Sequence, residues 1–168
     1  MTLRFSNRSL LVIGGTSGIG LAIAKSILAA GGHATVIGSR EDKAARAGQE
    51  LGGSARALAL DIASDRGIAD LQGLIAGAPR PFDLLVNAAG VFNPKPFVDH
   101  TLAEYDRYLS LTRAQFFATQ DFARRLIAEG KPGAAVNIGS MWAQQAIGAT
   151  PSSAYSVAKA GLHALTQH

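Results

Sequence analysis

Short apolar runs alternate with longer helical segments along the whole chain. Five runs of five or six mostly apolar residues predict buried strands, at 10–14, 33–38, 55–60, 83–87 and 134–139. Five segments of helical spacing or composition lie around them, at 19–30, 41–51, 64–76, 101–129 and 152–168. Strands that are apolar on both faces and alternate with helices are typical of parallel sheets. The pattern therefore predicts an α/β fold, a doubly wound parallel sheet with helices on both faces.

The long helical segment at 101–129 has a start and a stop signal. Thr101 is followed three residues later by Glu104, which is the spacing of a capping box. The breaker Lys131-Pro132-Gly133 follows the segment. Neither a repeat nor a linker interrupts the alternation, so we predict a single domain over residues 1–168.

Composition excludes several classes of protein. The chain is 48% hydrophobic and 17% charged, which indicates a globular protein and not a disordered one. Its net charge of +4 comes from scattered Arg and Lys residues without a basic run, so we predict no nucleic-acid partner. No stretch has the roughly 18 apolar residues that a membrane span needs, and the N-terminal residues lack the pattern of a secretory signal.

Metal and disulfide chemistry is also disfavoured. The chain has no cysteine, which excludes disulfides and thiolate metal sites, and its four histidines show no metal-ligand spacing with carboxylates. Absence of cysteine fits a reducing compartment. We therefore predict a soluble, cytoplasmic protein without a metal site.

A glycine-rich turn follows the first predicted strand and opens the first helix. It reads Gly14-Gly15-Thr16-Ser17-Gly18-Ile19-Gly20. Small residues let a backbone approach a pyrophosphate, and the N-terminus of a helix offers free N–H groups and partial positive charge. No Lys-Ser/Thr pair follows, so the turn is not a P-loop. It predicts a nucleotide site, with a tight turn that binds nothing as the alternative.

Tyr155 and Lys159 lie four residues apart in the last predicted helix and so share one face. An ammonium close to a phenol favours the phenolate, which suits the phenol to proton transfer near neutral pH. Alone this spacing is common in amphipathic helices. Ser140 ends the fifth predicted strand, at the sheet edge where ligands bind in such folds.

These motifs together resemble the short-chain dehydrogenase/reductase family. The glycine turn, Asn87-Ala88-Ala89-Gly90, Ser140 and the Tyr155/Lys159 pair occur in the family's order and rough spacing. The resemblance covers the whole chain and implies a Rossmann-type sheet and interconversion of a small-molecule carbonyl and an alcohol by hydride transfer. It implies Tyr155 as general acid or base, Lys159 lowering the pKa of Tyr155 and holding the nicotinamide ribose, and Ser140 binding the substrate oxygen. The cofactor-binding residues that it implies are Gly14, Thr16, Ser17, Gly18, Ile19, Gly20, Ser39, Arg40, Asp61, Ile62, Asn87, Ala88, Ala89, Gly90, Tyr155 and Lys159.

The end of the second predicted strand, Gly38-Ser39-Arg40, bears on the choice of cofactor. A carboxylate here would bind a ribose 2′-OH and select NAD(H). Arg40 instead suits a 2′-phosphate, so NADP(H) is the favoured cofactor and NAD(H) the alternative. Glu41 complicates this prediction, because its carboxylate could pair with Arg40 or turn toward the ribose. Asp61 has a second interpretation as an ordinary loop residue before a helix.

The sequence departs from the family pattern in three ways. Ile13 replaces a threonine, which we expect to reduce rigidity more than chemistry. The long helix is one residue short of the family pattern, because the family's asparagine is missing between Leu111 and Thr112. We therefore expect a bulge or distortion there, with Ser110 or Thr112 as substitutes. The chain also ends at His168, whereas relatives are longer, which predicts an exposed edge strand.

Two functions stay open on these grounds. One is an NADP(H)-dependent oxidoreductase shortened at its C-terminus. The other is a catalytically impaired nucleotide-binding or assembly module of the same fold, and a nonfunctional truncation product is a further alternative. A homodimer or homotetramer through the two long helices is the family's habit. Met141, Trp142, Phe92 and Phe97 fall near the expected site mouth, and of these Trp142 is favoured as a substrate contact.

Overall fold

The computed structural model describes residues 4–168 and contains one parallel five-stranded sheet in the order β3-β2-β1-β4-β5. Its strands are β1 Ser9–Ile13, β2 His33–Gly38, β3 Ala55–Ala59, β4 Leu84–Asn87 and β5 Ala134–Asn137. Its helices are α1 Gly18–Ala29, α2 Glu41–Leu51, α3 Asp65–Gly77, α4 Leu102–Ala128 and α5 Ser153–Thr166. The predicted elements are confirmed, with their ends shifted by at most two residues. Two short 3₁₀ turns, Phe97–Asp99 and Met141–Ala143, were not predicted.

The strand order changes direction at β1. The chain runs from β1 outward to β2 and β3, then returns to place β4 on the other side of β1. Adjacent loops leave the carboxyl ends of β1 and β4 in opposite directions at such a switch point, and a crevice opens between them. The glycine turn and the 88–90 segment follow these two strands and so border this crevice.

Alternate residues of the central strands face two separate apolar layers. Leu11 and Ile13 pack with residues of α3 and α4, whereas Leu10 and Val12 pack with residues of α1 and α2. All four side chains are at most 1% exposed. Ile13, which replaces the family's threonine, thus adds apolar packing to the α3/α4 layer. Helices on both faces confirm the doubly wound prediction.

The two edge strands differ from the prediction of strands buried on both faces. In β5, residues 134–136 are exposed, and Val136 is 50% exposed. In β3, Arg56 and Ala59 are exposed. Each edge strand has a hydrogen-bonded neighbour on one side only, so less of its surface is covered. The exposed edge strand that the sequence predicts is therefore present at β5.

Helix α4 begins with the predicted capping box. The Thr101 hydroxyl accepts from the Glu104 backbone N–H, and the Glu104 carboxylate accepts from the Thr101 backbone N–H at 2.9 Å. From Leu102 to Ala128 the helix is uninterrupted α-helix. The expected bulge or distortion near Leu111 is therefore wrong, and the helix keeps its regular hydrogen bonding through this region.

Candidate active site

A cavity of about 450 Å³ lies at the carboxyl ends of strands β1 to β4. Its wall contains most of the residues that the sequence analysis assigns to a cofactor. Those residues are Gly14, Thr16, Ser17, Gly18, Ile19, Gly20, Ser39, Arg40, Asp61, Ile62, Ala88, Ala89 and Gly90. The structure therefore brings together four segments that are up to 76 positions apart (residues 14 to 90).

The glycine turn leaves space for a ligand because its glycines pack tightly on backbone. Gly14 has φ +85°, and a Cβ there would collide with the backbone of Ala89. A Cβ on Gly20 would collide with the carbonyl of Gly14. The N–H groups of Gly14 and Gly15 donate to the Ile37 carbonyl at 2.8 and 2.9 Å, which fixes the turn to β2. The first residues of α1 thus border the cavity, as a pyrophosphate site requires.

Arg40 lies between β2 and α2 and lines the cavity. Its guanidinium donates to the Asp42 carboxylate twice, at 2.9 and 2.7 Å. This pair raises the pKa of Arg40 and lowers the pKa of Asp42 through hydrogen bonding and charge. The partner is therefore Asp42 and not Glu41, and the expectation for Glu41 is wrong on this point.

Lys43 is a cavity residue that the sequence analysis missed. It lies three residues after Arg40, in the first turn of α2, and lines the same cavity. Residues at i and i+3 of a helix start share a face, so this spacing would have revealed it. The cavity accordingly presents two cationic side chains at the end of β2, with one carboxylate bound to the first of them.

The Asp61 segment lines the adjoining wall. Asp61 is exposed, and its carboxylate accepts from the Ala63 backbone N–H at 3.3 Å. Its carbonyl accepts from the Ser64 hydroxyl at 2.8 Å. Ile62 is only 5% exposed and belongs to the α3/α4 layer while also lining the cavity. Asp61 thus stabilises its loop and also lines the cavity, so the cofactor-binding interpretation stays a prediction.

Asn87 does not line the cavity. It is fully buried at the end of β4, where its side-chain NH₂ donates to Asn137 at 2.7 Å and to Thr119 at 2.9 Å. These bonds join β4, β5 and α4 beneath the 88–90 turn. Asn87 therefore supports the turn from below, while Ala88, Ala89 and Gly90 form the cavity wall.

Tyr155 and Lys159 line a second, much smaller cavity of about 10 Å³, past the 88–90 turn. Both line it together with Ala89 and Gly90, which also line the main cavity. The Lys159 ammonium lies 5.8 Å from the centre of the Tyr155 ring and donates to the Ile138 carbonyl at 2.6 Å. Lys159 is 8% exposed, and this burial lowers its pKa from 10.5.

The depressed pKa of Lys159 predicts a pH dependence of stability. The unfolded lysine binds its proton up to about pH 10.5, whereas the folded lysine releases it earlier. Stability therefore increases as the pH rises toward 10.5, because the unfolded state binds more protons in that window. We expect the free energy of unfolding to rise with pH more steeply for the wild type than for Lys159→Met. Denaturant unfolding between pH 8 and 10 measures this, and parallel curves would contradict it.

Ser140 begins the 3₁₀ turn Met141–Ala143 and caps it. Its hydroxyl accepts from the Trp142 backbone N–H at 3.3 Å, and its own backbone N–H donates to Nε2 of His163 at 3.2 Å. Within residues 4–168 no hydrogen bond joins the Ser140 hydroxyl to Tyr155. Ser140 thus caps this turn, and its contact with His163 is a feature that the sequence analysis did not assign.

The wall beside Lys159 contains Leu111 and Thr112, the two residues between which the family has an asparagine. The Thr112 hydroxyl lies 3.4 Å from the carbonyls of Tyr108 and Ala158, and Ser110 is not among the lining residues. Gln115, one turn later, is 2% exposed and donates to the Ala89 carbonyl at 2.8 Å. Of the two expected substitutes, Thr112 lines this cavity and Ser110 does not, and Gln115 is a buried polar contact that the sequence did not reveal.

Two aromatic side chains pack on Tyr155, and a third packs on one of these two. The Phe92 ring packs edge-to-face on Tyr155 and on Trp142, with ring centres 5.0 and 5.6 Å apart, and Tyr108 packs on Tyr155 at 6.1 Å. Phe97 lies on the other 3₁₀ turn and is 77% exposed. Phe92 therefore joins Trp142 and Tyr155 in one aromatic cluster.

Comparison with known proteins defines the class of this site. The profile of the family described as short chain dehydrogenase matches residues 8–168, and the chain belongs to that family. A solved short chain dehydrogenase/reductase family protein has a TM-score of 0.87 at 30% identity, covering 98% of this chain and 67% of that chain. A metagenomic short-chain oxidoreductase in complex with NADP has a TM-score of 0.85 at 28% identity, covering 97% and 75%.

Curated relatives are longer than this chain. L-xylulose reductase of Bos taurus is 36% identical over 99% of this chain and 66% of its own length. D-erythrulose reductase of Gallus gallus is 35% identical over 86% of this chain and 57% of its own length. The chain thus spans about two thirds or less of the length of these relatives. No helix within residues 4–168 is long and apolar enough to cross a membrane, and no cluster of three potential metal ligands occurs there.

Proposed function

We propose that the protein is an NADP(H)-dependent oxidoreductase that interconverts a small-molecule carbonyl and an alcohol. One observation carries this proposal: the glycine-turn cavity and the smaller cavity at Tyr155 and Lys159 share Ala89 and Gly90 in their walls. A dinucleotide whose pyrophosphate lies at the glycine turn would place its other end toward Tyr155. The small residues and the start of α1 fit this group.

The bound cofactor would supply hydride transfer to or from the carbonyl carbon. Tyr155 would donate a proton to the carbonyl oxygen during reduction and remove it during oxidation. The buried Lys159 ammonium would favour the phenolate form of Tyr155 and bind ribose hydroxyls. The Ser140 hydroxyl would donate a hydrogen bond to the substrate oxygen and stabilise charge that develops there.

The names of the relatives suggest a substrate class. L-xylulose reductase and D-erythrulose reductase act, by name, on small ketoses, and a sorbitol dehydrogenase of Cereibacter sphaeroides is 28% identical over 98% of this chain. We therefore propose small polyhydroxylated ketones and polyols as the first compounds to test.

The experiment that tests the proposed function is a titration with NADPH and NADH that follows nicotinamide fluorescence, then a screen of ketoses for NADPH oxidation. Failure to bind either cofactor would contradict the proposal.

The cofactor preference rests on Arg40 and Lys43. A 2′-phosphate at the end of β2 would meet both cations, and the Asp42 carboxylate would have to share Arg40 with it. A ribose 2′-OH would gain little from this arrangement, so we propose a preference for NADPH over NADH.

Replacing the guanidinium tests this preference. For Arg40→Leu we expect the Kd of NADPH to rise about tenfold to a hundredfold, since hydrogen bonds to charged groups contribute about 1.5–3 kcal/mol. The Kd of NADH should change little. Arg46→Leu, on a later turn of α2 and outside the cavity lining, is the control. An equal loss of affinity for both cofactors would contradict a phosphate site at Arg40.

A second function is favoured by the wall beside Lys159. The wall contains Leu111 and Thr112 with no asparagine between them, and this suits a nucleotide-binding module with impaired turnover. Exposed apolar side chains on the two long helices, such as Phe116 and Val157 at 45% and 51%, support a homo-oligomer through α4 and α5 in either case. Light scattering tests that assembly.

We propose a cytoplasmic location, which the absence of cysteine supports.

A further inference from the structure

We propose that His163 is a positioning residue that holds the backbone of Ser140 and so aims the Ser140 hydroxyl at the substrate. This inference rests on the proposed oxidoreductase function. His163 lies on α5, four residues after Lys159, and therefore on the same face of the helix. It is not part of the cavity lining, so its effect would be transmitted through Ser140.

The segment 138–140 is held at both ends by this one helix face. The Lys159 ammonium donates to the Ile138 carbonyl at 2.6 Å, and the His163 Nε2 accepts from the Ser140 N–H at 3.2 Å. Strand β5 has ended at Asn137, and the Ile138 N–H makes the last bond to β4. The Lys159 and His163 side chains thus hold this segment beyond the point where its hydrogen bonds to β4 end.

Gly139 shows how closely the imidazole approaches this segment. A Cβ at position 139 would collide with Nε2 of His163, so a larger residue would force the ring to move. The glycine does not need left-handed backbone here, because it is absent from the positive-φ residues of the chain. The small residue is therefore explained by the imidazole that packs on it.

The contact has a defined chemical requirement. A ring nitrogen accepts a hydrogen bond only when it carries no proton, so Nε2 must be unprotonated and the proton of a neutral ring lies on Nδ1. The Ser140 hydroxyl already accepts from the Trp142 N–H, which ties its direction to that of the local backbone. Loss of the acceptor at 163 would release the Ser140 backbone and broaden the range of directions of the hydroxyl.

Two substitutions separate this role from simple packing. His163→Leu fills similar space without an acceptor, and His163→Gln offers a carbonyl oxygen. We expect kcat for ketose reduction to fall about tenfold in His163→Leu, which is what loss of one hydrogen bond corresponds to. The Kd of NADPH should stay within about twofold, and His163→Gln should recover most of the kcat. Wild-type kcat in His163→Leu, or equal losses in both variants, would overturn the proposal.

Amide exchange gives a readout that does not depend on turnover. We expect the Ser140 amide to exchange at least about tenfold faster in His163→Leu than in the wild type, with His163→Gln close to the wild type. Gly139→Ala should displace the imidazole and reproduce the faster exchange, and adding His163→Leu to it should have little further effect. Unchanged Ser140 exchange in both single variants would overturn the positioning role. Absence of wild-type turnover would instead contradict the proposed function, and the exchange data would still decide whether His163 holds Ser140.

Discussion

Tyr155→Phe should lower kcat for carbonyl reduction by about two to four orders of magnitude and leave the Kd of NADPH within about twofold. A general acid contributes a factor of this size to a proton-transfer step. The substitution removes only the hydroxyl. The phenyl ring keeps its edge-to-face contacts with Phe92 and Tyr108, and Lys159 keeps its bond to the Ile138 carbonyl.

The measurement combines steady-state kinetics with a fluorescence titration of NADPH on the same protein preparation. Tyr105→Phe is a matched control, because Tyr105 lies on α4, is 37% exposed and lines neither cavity. The control should retain wild-type kcat. If Tyr155→Phe also retained it, Tyr155 would not be the acid. If neither variant reduced the carbonyl substrate while both bound NADPH, the nucleotide-binding module would be the better interpretation.

The fold was predictable from sequence because its signals are local and periodic. Five short apolar runs and the helices around them specify each element, and the Thr101/Glu104 spacing located the start of α4 to one residue. The glycine turn was predictable for the same reason, since Gly14 needs φ > 0 and Gly20 packs on the Gly14 carbonyl. The exposure of β5 followed from its place at the sheet edge.

Side-chain partners were harder to predict because they depend on rotamers and on distant segments. The sequence offered Glu41 as the carboxylate near Arg40, but Asp42 is the residue whose side chain reaches the guanidinium. The contact of His163 with Ser140 joins residues 23 positions apart through a helix and a strand end. Its only signal in the sequence was the four-residue spacing from Lys159, which does not specify what lies opposite.

The missing residue in α4 shows a further limit. A helix one residue short of the family pattern predicts a rotation or bulge, yet α4 is continuous from Leu102 to Ala128. The helix keeps its backbone hydrogen bonds. Thr112 lines the same small cavity as Lys159, and Gln115 donates to the Ala89 carbonyl. Regular backbone hydrogen bonds contribute more to stability than one side-chain contact. The structure therefore explains why α4 stays regular, whereas the missing residue alone did not predict it.

Gly14→Ala should lower the free energy of unfolding by about 3 kcal/mol and abolish saturable NADPH binding. The new methyl group would collide with the backbone of Ala89, and alanine is strained at φ +85°. Strain of this kind costs about 1–3 kcal/mol, and forced overpacking adds a similar amount. Any movement that relieves this collision would shift the glycine turn or the 88–90 turn, and both form the cavity wall.

Gly73→Ala in α3 is the matched control, because nothing lies within 4 Å of its Cβ, and helix propensity predicts up to about 1 kcal/mol of added stability. Urea unfolding and NADPH titration of both variants measure the effects. Wild-type stability and affinity in Gly14→Ala would show that the turn does not need glycine at this position.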